Sequence, residues 1–248
     1  MYIFFIILFI MYYVYNMREH MNNTKIIFLN KNNLSDYLIQ DNDNYYKTFN
    51  NNDMIVRNIK NINEYYQIIN KSVVDSNDII RNKILKCIKK IENKFNNKNY
   101  EYFNGNKFNN ITWKIGFIKG KLYEEGLPHT RDQVIILPIE YVESINNDTL
   151  IRLLIHEKIH VYQKIYHDDI AIYLINNNFT MVDNNININN KRANPDMDDK
   201  LYMDKDNNIY YSQYNKNPKS IMDVRYFPIN ESSYEHPFEK MAYEISNY

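Results

Sequence analysis

The chain has 248 residues, enough for one large domain or two small ones with a core that folds without staples. Thirty Lys+Arg balance thirty Asp+Glu, so the formal net charge is zero and nothing in the charge points to nucleic acid as a partner. A single cysteine, Cys87, excludes an internal disulfide and a cysteine-rich zinc finger. Asn, Ile, Lys and Tyr dominate the composition, a bias toward AT-rich codons, so the seven Asn-x-Ser/Thr sequons carry no weight as modification sites.

Met1–Tyr15, "MYIFFIILFIMYYVY", is almost wholly apolar. As a helix it spans about 22 Å, less than the ~30 Å hydrocarbon core, with Tyr12, Tyr13 and Tyr15 placed to extend it as an interfacial belt. Residues 1–16 are therefore a possible membrane anchor. The basic residues Arg18, Lys25 and Lys31 follow the run, which would keep the main domain on the cytosolic side. A start at Met11, Met17 or Met21 would instead leave a cytoplasmic protein. Neither a basic leader nor a small-x-small cleavage site marks a secretory signal.

Residues 17–100 read as a mostly helical N-terminal region, with a short helix near Leu34–Gln40 and a loop at "DNDNYYKTFNNND". Ile80, Ile84, Ile88, Ile91 and Phe95 form one face of a helix that also carries Cys87, expected as a small core residue. From residue 101 the pattern changes. Ile111, Trp113, Ile115 and Phe117 alternate with Thr112 and Lys114, which predicts a half-buried strand. "EEGLPHTR" reads as a loop, and "DQVIILP" as a second strand ended by Pro138. Asn147 or Asp148 can cap a helix starting at Thr149, "TLIRLLIHEKIHVYQKIY", apolar around most of its circumference and so expected inside the core. Residues 168–228 read as irregular, with a turn at Asn194–Asp196 and a hairpin in "LYMDKDNNIYY". "HPFEKMAYEISNY" predicts a last helix with Pro237 in its first turn.

The chemistry lies in "HEKIH". On a helix, His156 and His160 are one turn plus about 40° apart, so both imidazoles leave the same face and can reach one tetrahedral zinc. Glu157, beside the first histidine, is badly placed as a ligand and well placed as a general base toward a water the metal activates. The competing reading is two core histidines bonded to tyrosines; unpartnered histidines in a buried helix would be costly. Lys158 is an oddity, a charge where zinc peptidases usually carry an uncharged residue. An extended metzincin motif is excluded: its third histidine would fall on Tyr166 rather than His167, Gln163 stands where its glycine should be, and nothing evident in the sequence breaks the helix.

In "HPFEKMAYE", Glu239 and Ala242 are three apart and share a face, so a carboxylate sits beside a small residue that permits close helix approach. HExxHxxQ followed by PxExxA resembles the gluzincin group of zinc metallopeptidases, over roughly residues 148–167 and 235–247. Short proteins with this arrangement occur in large DNA viruses. The resemblance implies an α+β, zincin-like fold: a small sheet, a buried HExxH helix and a C-terminal helix carrying the third ligand, all within residues 101–248. It implies Zn2+ held by His156, His160 and Glu239, hydrolysis of a peptide or protein substrate, and Glu157 as base. Glu235, His236 and Glu244 compete for the third-ligand position. Tyr243 stands where the thermolysin-type pattern has aspartate, so histidine orientation must come from elsewhere, Glu244 or a backbone carbonyl. In this fold the strand before the metal helix lines the cleft and can pair with an extended substrate. His129 or Arg131, just before that strand, then become candidates to stabilise an oxyanion or hold a substrate carboxylate, with His236 and Tyr243 as alternative oxyanion donors. Peptide deformylase chemistry is excluded because Cys87 has no ligand context. The rival from another class is an inactive, metallopeptidase-like binding or membrane-tethered protein.

Overall fold

A computed structural model of the protein describes residues 25–182, 186, 188–229 and 234–247. It is an α+β structure with small sheets. The apolar run 1–16 lies outside the described residues; among those described, no helix is long and apolar enough to cross a membrane.

The central sheet has the order β1–β5–β7–β6. β1 (Ile26–Phe28), β5 (Trp113–Ile118) and β7 (Val134–Pro138) run parallel, and β6 (His129–Arg131) closes one edge antiparallel to β7. β2 (Val73–Val74) adds a short antiparallel pairing to the end of β5. β5 is buried on both faces rather than half-buried. Trp113, Ile115 and Phe117 meet α4 (Asp78–Phe95) and α7 (Asn147–Ile165) in the larger core, while Gly116 and Ile118 face α1 (Lys31–Gln40) and α3 (Ile62–Ser72). Gly116 admits α1: a Cβ there would stand 2.5 Å from the Leu34 methyls. Ile111, expected in the strand, instead ends the short helix α5 (Gly105–Asn110).

The sheet crosses the division drawn at residue 100, since β1 pairs with β5 and α4 packs on α7. The stretch expected as loop at 41–53 holds a 3-10 turn, Tyr45–Thr48, and begins α2 (Asn51–Val56). Asparagine is the reason. The Asn50 side chain accepts N–H bonds from Asn52 and Asp53 while the Asp53 carboxylate accepts one from the Asn50 N–H, a capping box. The side chains of Asn30, Asn61, Asn77, Asn104 and Asn146 cap α1, α3, α4, α5 and α7 in the same way. The cap of α7 is thus Asn146, one residue before the expected range, and the helix opens at Asn147.

Residues 168–228 are more regular than the sequence suggests. A helix, α8 (His167–Asn176), is followed by an antiparallel sheet of β8 (Thr180–Met181), β9 (Tyr202–Met203), β10 (Ile209–Tyr214) and β11 (Val224–Phe227), in the order β11–β10–β9–β8. The expected hairpin is its β9–β10 pair. The helix break excluded from sequence exists, at Tyr166, because Asp169 is held aside by Lys107 (2.7 Å) and the Tyr162 hydroxyl. His167 nevertheless stays exposed at the start of α8.

Two buried arginines tie the N-terminal helices to the site wall. Arg57 binds both carboxylate oxygens of Glu124 (2.9 and 2.8 Å), which also accept from Tyr65 (2.5 Å) and Tyr45 (3.0 Å). Arg131 is clamped by Asp41 (2.8 Å) and both oxygens of Asp43 (2.7 Å). Burial disfavours the Glu124 anion, but the Arg57 charge and hydrogen bonds overcome this and hold the carboxyl down at about 2. A depressed carboxyl stabilises the fold above its unfolded value, near 4.3, and the contribution fades as pH falls toward 2. Glu124→Gln, which strands the Arg57 charge, should cost about 3–5 kcal/mol at pH 7. Urea unfolding should show the wild-type and variant midpoints converging on acidification.

Candidate metal centre

α7 presents His156, Glu157 and His160 on consecutive turns, and α9 (Pro237–Ser246) runs antiparallel across it. Pro237 opens α9, His236 caps it by accepting the Phe238 N–H, and Met241, Ala242 and Ile245 are wholly buried. The small Ala242 lets the two helices close. This brings Glu239 Oε2 to 3.4 Å from His156 Nε2 and Glu239 Oε1 to 3.7 Å from His160 Nε2, with the two Nε2 atoms 3.1 Å apart. Donor atoms around a tetrahedral zinc with ~2.0–2.2 Å bonds are separated by about 3.3–3.6 Å. The three separations, 3.1 to 3.7 Å, bracket that range, so the three-donor set is compatible with such an ion, and His156 and Glu239 line the adjoining cavity.

Gln163 decides how the second histidine binds. Its amide N–H donates to Phe238 O (2.9 Å), so its carbonyl oxygen is the atom facing His160 Nδ1 at 3.0 Å. Nδ1 must therefore carry the proton, and Nε2 turns a lone pair toward Glu239 and His156. One side chain fixes the tautomer of His160 and pins the helix bearing Glu239. Glu244, expected in this role, is engaged by Tyr173 (3.0 Å) and Lys240 (3.7 Å) instead. The rival third ligands are likewise occupied: Glu235 binds Arg192, Ser212 and Asn194, and His236 Nε2 lies 3.2 Å from Asp198.

The electrostatics separate the members. Burial lowers the His156 pKa, but the Glu239 hydrogen bond and the Glu157 and Glu239 charges reverse this and raise it to about 9. Burial drives His160 down to about 3, which keeps it neutral. Burial would raise Glu239, yet the two histidines pull it to about 2. Glu157 is pushed up to about 8 by burial and by Asp196, with His156 opposing. The Thr130 hydroxyl, on β6, lies 2.8 Å from Glu157 Oε2 and 3.0 Å from its backbone oxygen.

Of the four accessory residues expected from sequence, the structure brings one beside the cluster, and His236 faces Asp198 instead. Tyr243 lines the cavity with its ring 4.6 Å from that of His156 and is half exposed. His129 reaches the cavity wall but lies in β6 rather than a loop, and both its nitrogens point inward, Nδ1 to Leu127 O (2.9 Å) and Nε2 to the Tyr123 hydroxyl (3.4 Å). It has no N–H left for an oxyanion. Arg131 is held behind the strand by Asp41 and Asp43 and does not line the cavity, so the role of oxyanion or carboxylate clamp is withdrawn from it. Sequence reading passed over Thr130 and Asp196. Asp196, taken as a turn acid, accepts the Thr130 N–H (2.5 Å), while Lys164 Nζ donates to Thr130 O (3.3 Å) and Pro195 O (2.8 Å). The strand expected to pair with substrate, β7, is flanked by β5 and β6, and the outward backbone groups of Thr130 on the edge strand β6 are filled by Asp196 and Lys164.

Lys158 points away from the cluster into the core. It is 1% exposed, has no hydrogen-bond partner among the described residues, and sets Nζ 3.9 Å from the Trp113 ring centroid and 4.6 Å from that of Phe108. The rings offer the ammonium partial compensation. Burial still drives its pKa well below the ordinary lysine value. No family model, curated protein or solved structure matches the chain.

Two expectations follow from these neighbours. Gln163→Leu should lower zinc affinity by about 10–100-fold in a chelator competition, since it frees the His160 ring and its tautomer. Lys158→Met keeps the stem and removes the amine, and should stabilise the protein by about 1–3 kcal/mol at pH 7. A lysine depressed in the folded state costs stability below its unfolded value, near 10.4, so the advantage measured by urea unfolding should shrink toward pH 10.

Proposed function

We propose that the protein is a zinc-dependent metallopeptidase of gluzincin type with a zincin-like fold, acting on peptide or protein substrates. The observation carrying this reading is the convergence of His156, His160 and Glu239, their donor atoms 3.1 to 3.7 Å apart, with Glu157 next in sequence to His156. The cluster opens on a cavity of ≈ 460 Å³, large enough for several residues of an extended peptide. A bound zinc would supply Lewis-acid polarisation of a carbonyl and a water acidic enough to lose its proton near neutral pH.

The chain supplies the rest. Glu157 takes a proton at one carboxylate oxygen while Thr130 holds the other, so the carboxylate cannot swing to become a ligand. The His156 charge and the Thr130 hydrogen bond oppose the burial and the Asp196 and Glu239 charges that raise the Glu157 pKa to about 8, within reach of the pH at which a general base works. The same carboxyl then delivers the proton to the leaving amine. His160 stays neutral under the Gln163 bond, and the Tyr243 hydroxyl, on the cavity side of His156, is the donor for charge on the carbonyl oxygen.

One observation favours a second reading, a non-catalytic protein that keeps the metal: Asp196 and Lys164 occupy the backbone groups of β6 that an extended substrate would pair with. The intact Glu157, which a purely structural site does not need, weighs against it.

Glu157→Gln separates the two. The variant should retain about one zinc per chain, because the ligands are untouched, and lose peptide hydrolysis by about 10²–10⁴-fold. His160→Ala and Glu239→Ala should lose metal and activity together. Elemental analysis and cleavage of a broad peptide library measure both. A wild type that binds zinc yet cleaves no peptide would leave the binding reading in place.

A further inference from the structure

The cavity extends well past the metal ligands. Thr149, Arg152, Leu153 and His156 line it in succession, spacings of three, one and three that keep one stripe of α7 facing the space. The stripe leads from the ligand cluster to a far end where Tyr141, from α6 (Ile139–Ser144), and Asn247, just past α9, complete the wall.

The charged groups along this wall differ in one respect. Glu124 is paired with Arg57, Arg192 with Glu235 and Glu239 with His156, while Glu157 and Asp196 accept hydrogen bonds from Thr130. Arg152 is exposed and makes no hydrogen bond, ion pair or ring contact among the described residues. A guanidinium offers five donors in a planar fork that matches a carboxylate. Among the described residues that fork is unpaired, on a cavity wall whose other guanidinium, Arg192, is held by Glu235. The positive end of the α7 macrodipole lies on the same side and adds a field of the same sign.

Its position along the helix sets the register. Four residues separate Arg152 from His156, a rise of about 6 Å. An extended peptide advances about 3.3 Å per residue, so a group bound at Arg152 lies about two residues from a bond held at the ligand cluster, or one to three given the reach of the arginine stem.

Building on the hydrolase reading, we infer that Arg152 is a specificity-determining residue that binds a carboxylate of the peptide substrate, one to three residues from the scissile bond. The carboxylate is either an acidic side chain or the peptide's own C-terminus.

The test reads binding, so it does not depend on turnover. The zinc-loaded full chain carrying Glu157→Gln is titrated calorimetrically with three N-terminally blocked hexapeptides of one neutral sequence. The first has an amidated C-terminus, the second a free C-terminus, and the third an amidated C-terminus with one residue changed to glutamate. One of the two carboxylate peptides should bind at least about tenfold more tightly than the neutral amide, more so at low salt. The tighter peptide identifies the source of the carboxylate. Adding Arg152→Gln should remove the preference and leave the neutral peptide's affinity unchanged, while Arg152→Lys should keep part of it, since a point charge replaces the fork. Equal binding of all three peptides, binding of none, or a preference that survives Arg152→Gln would overturn the assignment. Cleavage of the preferred peptide by the protein with Glu157 intact is a separate readout: selective binding without cleavage sinks the hydrolase reading alone.

Discussion

The contact between α7 and α9 governs the rest of the site, and Gln163 pins it. By donating to Phe238 O and accepting from His160 Nδ1, that side chain links the helix bearing the histidines to the helix bearing Glu239. Ala242 supplies the clearance, and Met241 and Ile245 the apolar burial that holds the helices together. A shift of one turn would move Glu239 by about 5.4 Å and break every ligand separation at once. The ligand geometry is therefore a consequence of helix packing, with one amide fixing both register and tautomer.

Around that contact the protein concentrates charge where apolar packing would be simpler. Arg57 and Arg131, both buried, are matched by Glu124, Asp41 and Asp43, and Asp53 joins α2 to Tyr214 and to the Ala193 N–H. These pairs span long stretches of chain: the N-terminal helices, the β5–β6 turn and the strap of residues 192–196 meet in one wall. Breaking any one pair strands a charge in the interior, which makes the arrangement specific even where its net stabilisation is small. The strap is held by Asp53, Lys164 and Thr130, and so carries Asp196 to the mouth of the site.

β6 shows how the same few residues serve two ends. The Thr130 hydroxyl steadies Glu157, while its N–H and carbonyl are taken by Asp196 and Lys164. The strand that would receive a substrate backbone is thus engaged with the protein's own strap, and the accessible part of the cavity runs instead along α7 toward Arg152. Substrate would be read there through side-chain contacts rather than by adding a strand.

The sequence alone determined the long periodic elements and the ligand-bearing motifs. α4 and α7 announce themselves by apolar spacing, and His156, Glu157 and His160 by theirs; with Ala242 beside it, Glu239 could be singled out through a family resemblance. What sequence could not decide were distances across the chain. Asparagines that read as loop turned out to cap helices, because the same side chain bonds a backbone N–H in either setting, and only the following packed turn distinguishes them. The fates of Arg131, Thr130 and Asp196 depended on partners 27 to 90 positions away, and a residue's chemistry is set by what it meets. Arg131 lost a proposed role to two aspartates near position 40, whereas Arg152, unremarked in sequence, is proposed for one because no described residue folds back to meet it. Local periodicity encodes which face a residue takes; only tertiary packing decides which charges are spent inside the protein and which remain available to a ligand.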